Sequence, residues 1–239
     1  MVSTTGATGL TIGAGGGLAL ENRASVSTTG ALVNDGLVEL DFGFGSGGSS
    51  LTVGGALTNG GTLRIGNELT ASDFVTAKSF VNSGMVYLIG AGANLAALNV
   101  SGATTNNGSI SIITDKETLA GVVGGTGSFS LSNANLQFDS SVSAGQTISE
   151  TGADGLTLKL AQDFAATISG FGTGDTIDAT NFVETATSHS FLENSGGTGG
   201  TLTLHDASLT ANILMTRVYT KSDFTLAPDS GTGTLVKFA

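Results

Sequence analysis

The sequence predicts an all-β protein, a single-stranded parallel β-helix (β-solenoid) of about ten coils. A short phrase of Asn, any residue, Gly and a β-run recurs, with its glycines 25, 23 and 24 residues apart. A fixed period of this size is typical of solenoids. The residues after each glycine alternate between apolar and polar, which indicates a strand with one buried face. One such strand cannot bury its apolar face alone, but stacked copies can.

The repeated phrase defines a corner of the predicted coil. Its asparagines are Asn34, Asn59, Asn82 and Asn106, and its glycines are Gly36, Gly61, Gly84 and Gly108. Asn and Gly tolerate left-handed backbone angles, so we expect them to turn the chain there. Stacked coils would place the asparagines in a ladder whose amides bond along the axis. A weaker copy at 125–131 lacks the Asn.

The first half of the chain supplies the regular coils, over residues 1–131. Residues 1–30 predict an incomplete first coil, with strands at 10–12 and 18–20. Further strands at 51–53, 74–75 and 98–100 give each coil two or three short strands. The glycine-rich loop at 42–48, with Phe42 and Phe44, is expected to project from a corner or to fold under and cap the core.

The pattern loosens after residue 131. Residues 132–239 therefore predict a less regular continuation of the solenoid and a C-terminal β module. Alternating strands are expected at 136–138, 146–148 and 156–160. No segment has strong helical periodicity, and the best helix candidates are 94–98, 116–122 and 208–215.

Composition narrows the class of protein. The 239 residues include 38 glycines without a Gly-X-Y period, which excludes collagen, and 39% apolar residues, which argues against disorder. The net charge of −11 argues against nucleic-acid partners. The chain has no cysteine and no apolar run that predicts a membrane span. Its first residues do not resemble a signal peptide, so we interpret the sequence as a fragment of a longer chain.

The last third of the chain resembles a known family. Residues 167–178 (TISGFGTGDTID) resemble a phrase found near the ends of solenoid regions in large secreted proteins of proteobacteria. The segments at 201–206, 211–213, 223–224 and 229–236, together with Tyr219, look like the module that follows it. The family is that of bacterial autotransporter passengers and adhesin-like β-helical surface proteins, and the resemblance covers about residues 160–239. It implies a right-handed β-helix, export to the bacterial cell surface, a role in adhesion or matrix, and no enzyme activity.

One phrase suggests a metal site. Asp175 and Asp178 lie beside flexible glycines, and such loops can hold Ca²⁺ through carboxylate and carbonyl oxygens. The repeated G-G-x-G-x-D calcium pattern is absent, and the alternative is a turn in which Asp accepts backbone hydrogen bonds. No other cofactor is expected.

These observations favour a non-enzymatic, extracellular structural or adhesive module that attaches to a cell surface or matrix, with an unidentified ligand. A self-assembling fibre subunit, stacked head to tail through its end coils, is one alternative. A polysaccharide-active enzyme is the other, and it needs clustered carboxylates. His205 and Asp206 would be a candidate base with its orienting acid, but the basic residues are spread along the chain and tryptophan is absent.

Overall fold

The computed structural model describes residues 2–4, 9–43 and 46–239. In chain order the first strands are β1 (Val2–Thr4), β2 (Leu10–Ile12), β3 (Gly17–Leu20), β4 (Ser25–Thr28), β5 (Leu32–Asn34), β6 (Leu37–Leu40), β7 (Ser50–Val53), β8 (Ala56–Asn59), β9 (Thr62–Ile65), β10 (Asp73–Ala77), β11 (Ser79–Asn82), β12 (Met85–Ile89), β13 (Ala96–Val100), β14 (Thr104–Asn106), β15 (Ser109–Ile113) and β16 (Lys116–Leu119).

The following strands are β17 (Val123–Gly124), β18 (Ser128–Ser132), β19 (Asn135–Phe138), β20 (Thr147–Thr151), β21 (Gly155–Leu158), β22 (Thr167–Ser169), β23 (Thr176–Ala179), β24 (Thr187–Glu193), β25 (Gly200–Asp206), β26 (Leu209–Met215), β27 (Phe224–Pro228) and β28 (Thr234–Phe238). Three short 3-10 helices cover Ala161–Asp163, Glu184–Ala186 and Lys221–Asp223. No helix in the described part of the chain is long and apolar enough to cross a membrane.

The strands up to β23 form stacked coils, as predicted. Successive coils add parallel strands to four sheets, and the longest coil sheet runs β3-β6-β9-β12-β15-β18-β20-β22. Each strand in that order lies one coil further along the chain. The solenoid therefore makes about seven turns, and at ~4.8 Å per turn its axis is about 34 Å long. The predicted fold class is confirmed, but ten coils was too high.

The coil number is lower because the last fifty residues leave the coil path. Strands β24, β25 and β26 form an antiparallel meander, and β27 and β28 form an antiparallel hairpin. The meander joins the solenoid where β26 pairs in parallel with β22, and the hairpin joins it where β28 pairs antiparallel with β23. Both units therefore lie on the last coil.

Inward-facing side chains stack in files along the axis. One file runs Leu40, Ile65, Leu88, Ile112, Leu131 in register, and every member is completely buried. The next position in that file is Glu150, which pairs with Leu131. The alternation of inward and outward residues thus builds the core as predicted. The same alternation also places the side chain of Glu150 in the core.

The three helix candidates were wrong. Residues 94–98 run into β13, 116–122 contain β16, and 208–215 contain β26. Burial in β26 alternates residue by residue, from the buried Ala211 and Ile213 to the exposed Asn212 and Leu214. Pairing with neighbouring strands therefore decides the structure of segments whose local pattern was ambiguous.

Candidate functional site

Four corner asparagines lie in file inside the solenoid. Nδ2 of Asn34 donates to Oδ1 of Asn59 at 2.7 Å, Asn59 donates to Asn82 at 2.8 Å, and Asn82 donates to Asn106 at 2.8 Å. All four side chains are buried. Each amide thus links one coil to the next, in the direction of the backbone hydrogen bonds.

The ladder continues to a residue that the sequence reasoning missed. The coil after Asn106 has Gly125 at the corner, and the side chain of Gln146 bridges this gap. Oε1 of Gln146 accepts from Asn106 Nδ2 at 3.1 Å, and its Nε2 donates to the carbonyl oxygens of Asn106 and Gly124 at 2.7 and 2.9 Å. The longer Gln146 side chain spans the coil whose corner lacks an asparagine. The absence of Asn from the copy of the repeat at 125–131 was the only sign in the sequence that another residue continues the ladder.

The corner glycines are required for a different reason than the predicted one. Gly36, Gly61, Gly84 and Gly108 do not have positive φ, so left-handed angles do not explain them. A Cβ on Gly61 would lie 2.2 Å from the Gly36 carbonyl oxygen, one on Gly84 2.0 Å from that of Gly61, and one on Gly108 2.1 Å from that of Gly84. Stacked backbones come too close at this corner for any side chain.

Asp175, one of the two candidate calcium ligands, is buried and capped by backbone amides. Its Oδ1 accepts from the Asp154 amide at 2.9 Å and its Oδ2 from the Gly172 amide at 2.7 Å. Asp154 repeats the arrangement one coil earlier, accepting from the amides of Ala134 and Thr151 at 2.8 and 2.6 Å. In both coils the carboxyl group therefore accepts one hydrogen bond from an amide of the preceding coil and one from an amide three residues earlier in its own turn.

Asp178, the other candidate ligand, lies on β23. Its Oδ1 is buried without a hydrogen-bond partner in the described chain, and burial followed by the charge of Asp229 raises its pKa. Residues 9–43 and 46–239 contain no group of three or more acidic, His or Cys side chains that could hold a metal ion. Calcium binding at this phrase stays a prediction.

Asp41 and Asp73 form a buried carboxyl pair that the sequence reasoning missed. Burial, followed by the hydrogen bond and charge of Asp41, raises the pKa of Asp73 to about 7. Burial also opposes ionisation of Asp41, but hydrogen bonds from Ser49, Asn22 and Asp73 outweigh it and lower the Asp41 pKa. The two pKa values are shifted in opposite directions, so Asp41 ionises at a lower pH than Asp73.

Two glutamates are buried in the coils. Oε2 of Glu117 accepts from the Leu98 amide at 3.0 Å, and burial raises the Glu117 pKa to about 8. Neither carboxyl oxygen of Glu150 has a hydrogen-bond partner among the described residues. Burial, then the charges of Asp175 and Asp154, raise the Glu150 pKa to about 9. Both glutamates are therefore mostly protonated at neutral pH.

The candidate catalytic pair is not assembled. His205 is exposed, with Nδ1 3.1 Å from the Thr210 hydroxyl. Asp206 points to the opposite face of β25, is buried, and accepts from the Val183 amide at 2.8 Å. In the glycine-rich loop at 42–48, the Arg64 guanidinium lies 4.8 Å from the centre of the Phe42 ring, and Phe44 lies outside the described residues.

Comparison with known sequences places this fold at the cell surface. No curated protein matches the chain. The profile of one family, described as hyphally regulated cell wall protein N-terminal, matches residues 4–238. The match supports the surface location implied by the earlier resemblance but gives no support to an autotransporter. Because the profile covers nearly the whole chain, solenoid and C-terminal module together, this chain belongs to the hyphally regulated cell wall protein N-terminal family.

Proposed function

We propose that the chain is a non-enzymatic structural and adhesive module, which holds contact surfaces away from the cell and attaches to a neighbouring cell or matrix. The observation that carries this proposal is the cell wall family match over residues 4–238. The fold suits the task, because parallel strands and the asparagine ladder join every coil to its neighbours along one axis.

The distribution of acidic groups favours a module without catalysis. General acid–base chemistry needs carboxyl groups that reach a substrate. Here Asp73, Asp154 and Asp175 point inward and accept backbone amides, and Glu117 and Glu150 are buried. These buried acidic side chains therefore contact the backbone and core of the chain itself and are not positioned to reach a substrate.

The fibre alternative is less favoured. Head-to-tail stacking needs an open strand edge at each end of the solenoid. The edges of β22 and β23 on the last coil are already paired with β26 and β28. At that end a second copy would therefore have to pair with β24 or β27, the outer strands of the meander and the hairpin, and not with β22 or β23.

Retention of coated beads tests the proposal. Beads carrying the chain in one orientation are washed over cell layers and over extracellular matrix under flow. We expect several-fold more retained beads than with the heat-unfolded chain at equal surface density. Equal retention would refute adhesion. Filaments in negative-stain images of the chain would favour the fibre, and cleavage products from a polysaccharide panel would favour an enzyme.

A further inference from the structure

The junction between the solenoid and the meander leaves a cleft on the outer surface. β22 pairs with β26 over only two residues, Thr167 with Leu214 and Ile168 with Met215. The cleft beside this short pairing has a volume of about 440 Å³. This lies within the usual size range of small-molecule sites, about 300–1,000 Å³.

The lining of the cleft carries hydroxyl groups and no charge. Its side chains include Thr167, Thr198, Thr201, Thr216, Asn194 and Leu214. In the part of the chain that the structure describes, the hydroxyls of Thr167, Thr201 and Thr216 have no protein hydrogen-bond partner. They are therefore free to donate to a ligand and to accept from it.

One wall of the cleft is held by hydrogen bonds within the chain. Oδ1 of Asn194 accepts from the amides of Gly196 and Thr198 at 3.2 and 3.1 Å, and its Nδ2 donates to the Thr198 hydroxyl at 3.2 Å. The Asn194 amide also donates to the Gly199 carbonyl at 2.9 Å. These bonds hold the turn that connects β24 to β25, and a preorganised wall lowers the entropy lost on binding.

A row of outward side chains extends the cleft across four strands. Leu192 on β24 pairs with Thr201 on β25, which pairs with Leu214 on β26, which pairs with Thr167 on β22. Leu192 is 76% exposed and Leu214 is 42% exposed. Apolar and hydroxyl positions thus alternate about every 4.8 Å over about 14 Å.

We infer that this cleft and row, named here the junction cleft, bind a neutral oligosaccharide chain. A sugar ring presents hydroxyls at its edge and C–H groups on its face, which complements alternating threonines and leucines. An uncharged lining on a protein of net charge −11 gives no reason to select an ionic ligand. The inference rests on the proposed adhesive function and gives it a ligand class.

The test titrates the whole chain with neutral hexasaccharides of β-1,3-linked glucose, β-1,4-linked N-acetylglucosamine and α-linked mannose, and with an acidic hexagalacturonate. Amide chemical shifts locate the site and give the affinity. At least one neutral probe should shift Thr201 and Leu214. Thr201→Val and Leu214→Ser should each weaken binding about five- to tenfold, as expected for one lost contact. Thr157→Val, on the outer face of β21, is the matched control and should bind as wild type.

Several outcomes would overturn the inference. They are no shift at the cleft with any neutral probe, equal affinity in the cleft variants, or tighter binding of the acidic probe. A concentration-dependent dimer in sedimentation that Leu192→Ser abolishes would assign the row to a second copy of the chain instead. If Thr201→Val beads are retained at the wild-type level, the junction cleft is not the adhesive site, but the proposed adhesive function stands. If the cleft binds sugar but wild-type beads are not retained, the proposed adhesive function is refuted, but sugar binding at the cleft stands.

Discussion

The carboxyl group of Glu117 accepts a hydrogen bond from the Leu98 amide at 3.0 Å, across a break between two sheets. The coil sheet that contains β13 ends there, and β16 on the next coil begins another sheet. Asp115 makes the equivalent contact, accepting from the Ala96 amide at 3.0 Å. Side-chain oxygens thus replace the backbone carbonyls that a continuous sheet would supply. The two coils therefore remain joined by hydrogen bonds at the point where one sheet ends and the next begins.

Removing the acceptor at this break should destabilise the chain. Glu117→Leu leaves the buried Leu98 amide unpaired, and such a loss costs about 1–3 kcal/mol. Glu117→Gln keeps an oxygen acceptor and is nearly neutral at pH 7, because the native glutamate is itself mostly protonated there. Urea unfolding at pH 7 measures both changes. Equal destabilisation by Leu and Gln would show that the Glu117–Leu98 bond contributes little.

Stability should fall as the pH rises from acid to alkaline. Glu150 has an ordinary pKa of 4.5 when unfolded and about 9 when folded, so the folded chain holds more protons between these values. Its contribution is therefore complete below pH 4.5 and is lost progressively up to about pH 9, at about 1.4 kcal/mol for each pKa unit. Glu117 and Asp73 act in the same direction.

The matched variant for this pH effect is Glu150→Gln, which has the same shape and no titration. Its unfolding free energy should fall less steeply between pH 5 and 9 than that of the wild type. The two curves should diverge most near pH 9, where the variant is more stable. Parallel curves would mean that Glu150 titrates normally in the folded chain. Chemical denaturation at closely spaced pH values, with Glu184→Gln as a more exposed control, provides the measurement.

The stacked coils could be predicted from the sequence. The fixed spacing of the repeat and the alternation of apolar and polar residues within it are both visible without any knowledge of distant contacts. The same alternation places Glu150 two residues after the inward Ile148, and Glu117 two residues before the inward Leu119. The inward position of both glutamates could therefore be read from the alternation, although acidic side chains are rarely fully buried. The closing meander was not predictable in this way, since β26 departs from the repeat and its position depends on distant pairing with β22.

The centre of the asparagine ladder should be sensitive to substitution. Asn82→Ala removes both the acceptor of Asn59 and the donor to Asn106 inside the core. Asn59 Nδ2 keeps the Met85 carbonyl and Asn106 Oδ1 keeps the Gly108 amide, so each loses only its partner in the ladder. For two lost buried hydrogen bonds we expect a decrease of about 1–3 kcal/mol in unfolding free energy. Asn99→Ala, at an exposed position of β13, should change stability by less than about 0.5 kcal/mol. Similar small effects of both variants would show that the ladder is dispensable.

The corner glycines should reject even one added methyl group. Gly84→Ala places a Cβ 2.0 Å from the Gly61 carbonyl oxygen, a backbone atom that cannot rotate away. The coils must separate there, and we expect a cost at or above the upper end of about 1–3 kcal/mol, with weaker backbone pairing between the two coils. Gly124→Ala is the control, because a Cβ there meets no atom within 4 Å and its φ is not positive. Thermal unfolding and amide exchange in β9 and β12 would report the damage. If Gly84→Ala proved as stable as Gly124→Ala, close stacking could not be the reason for glycine at this corner.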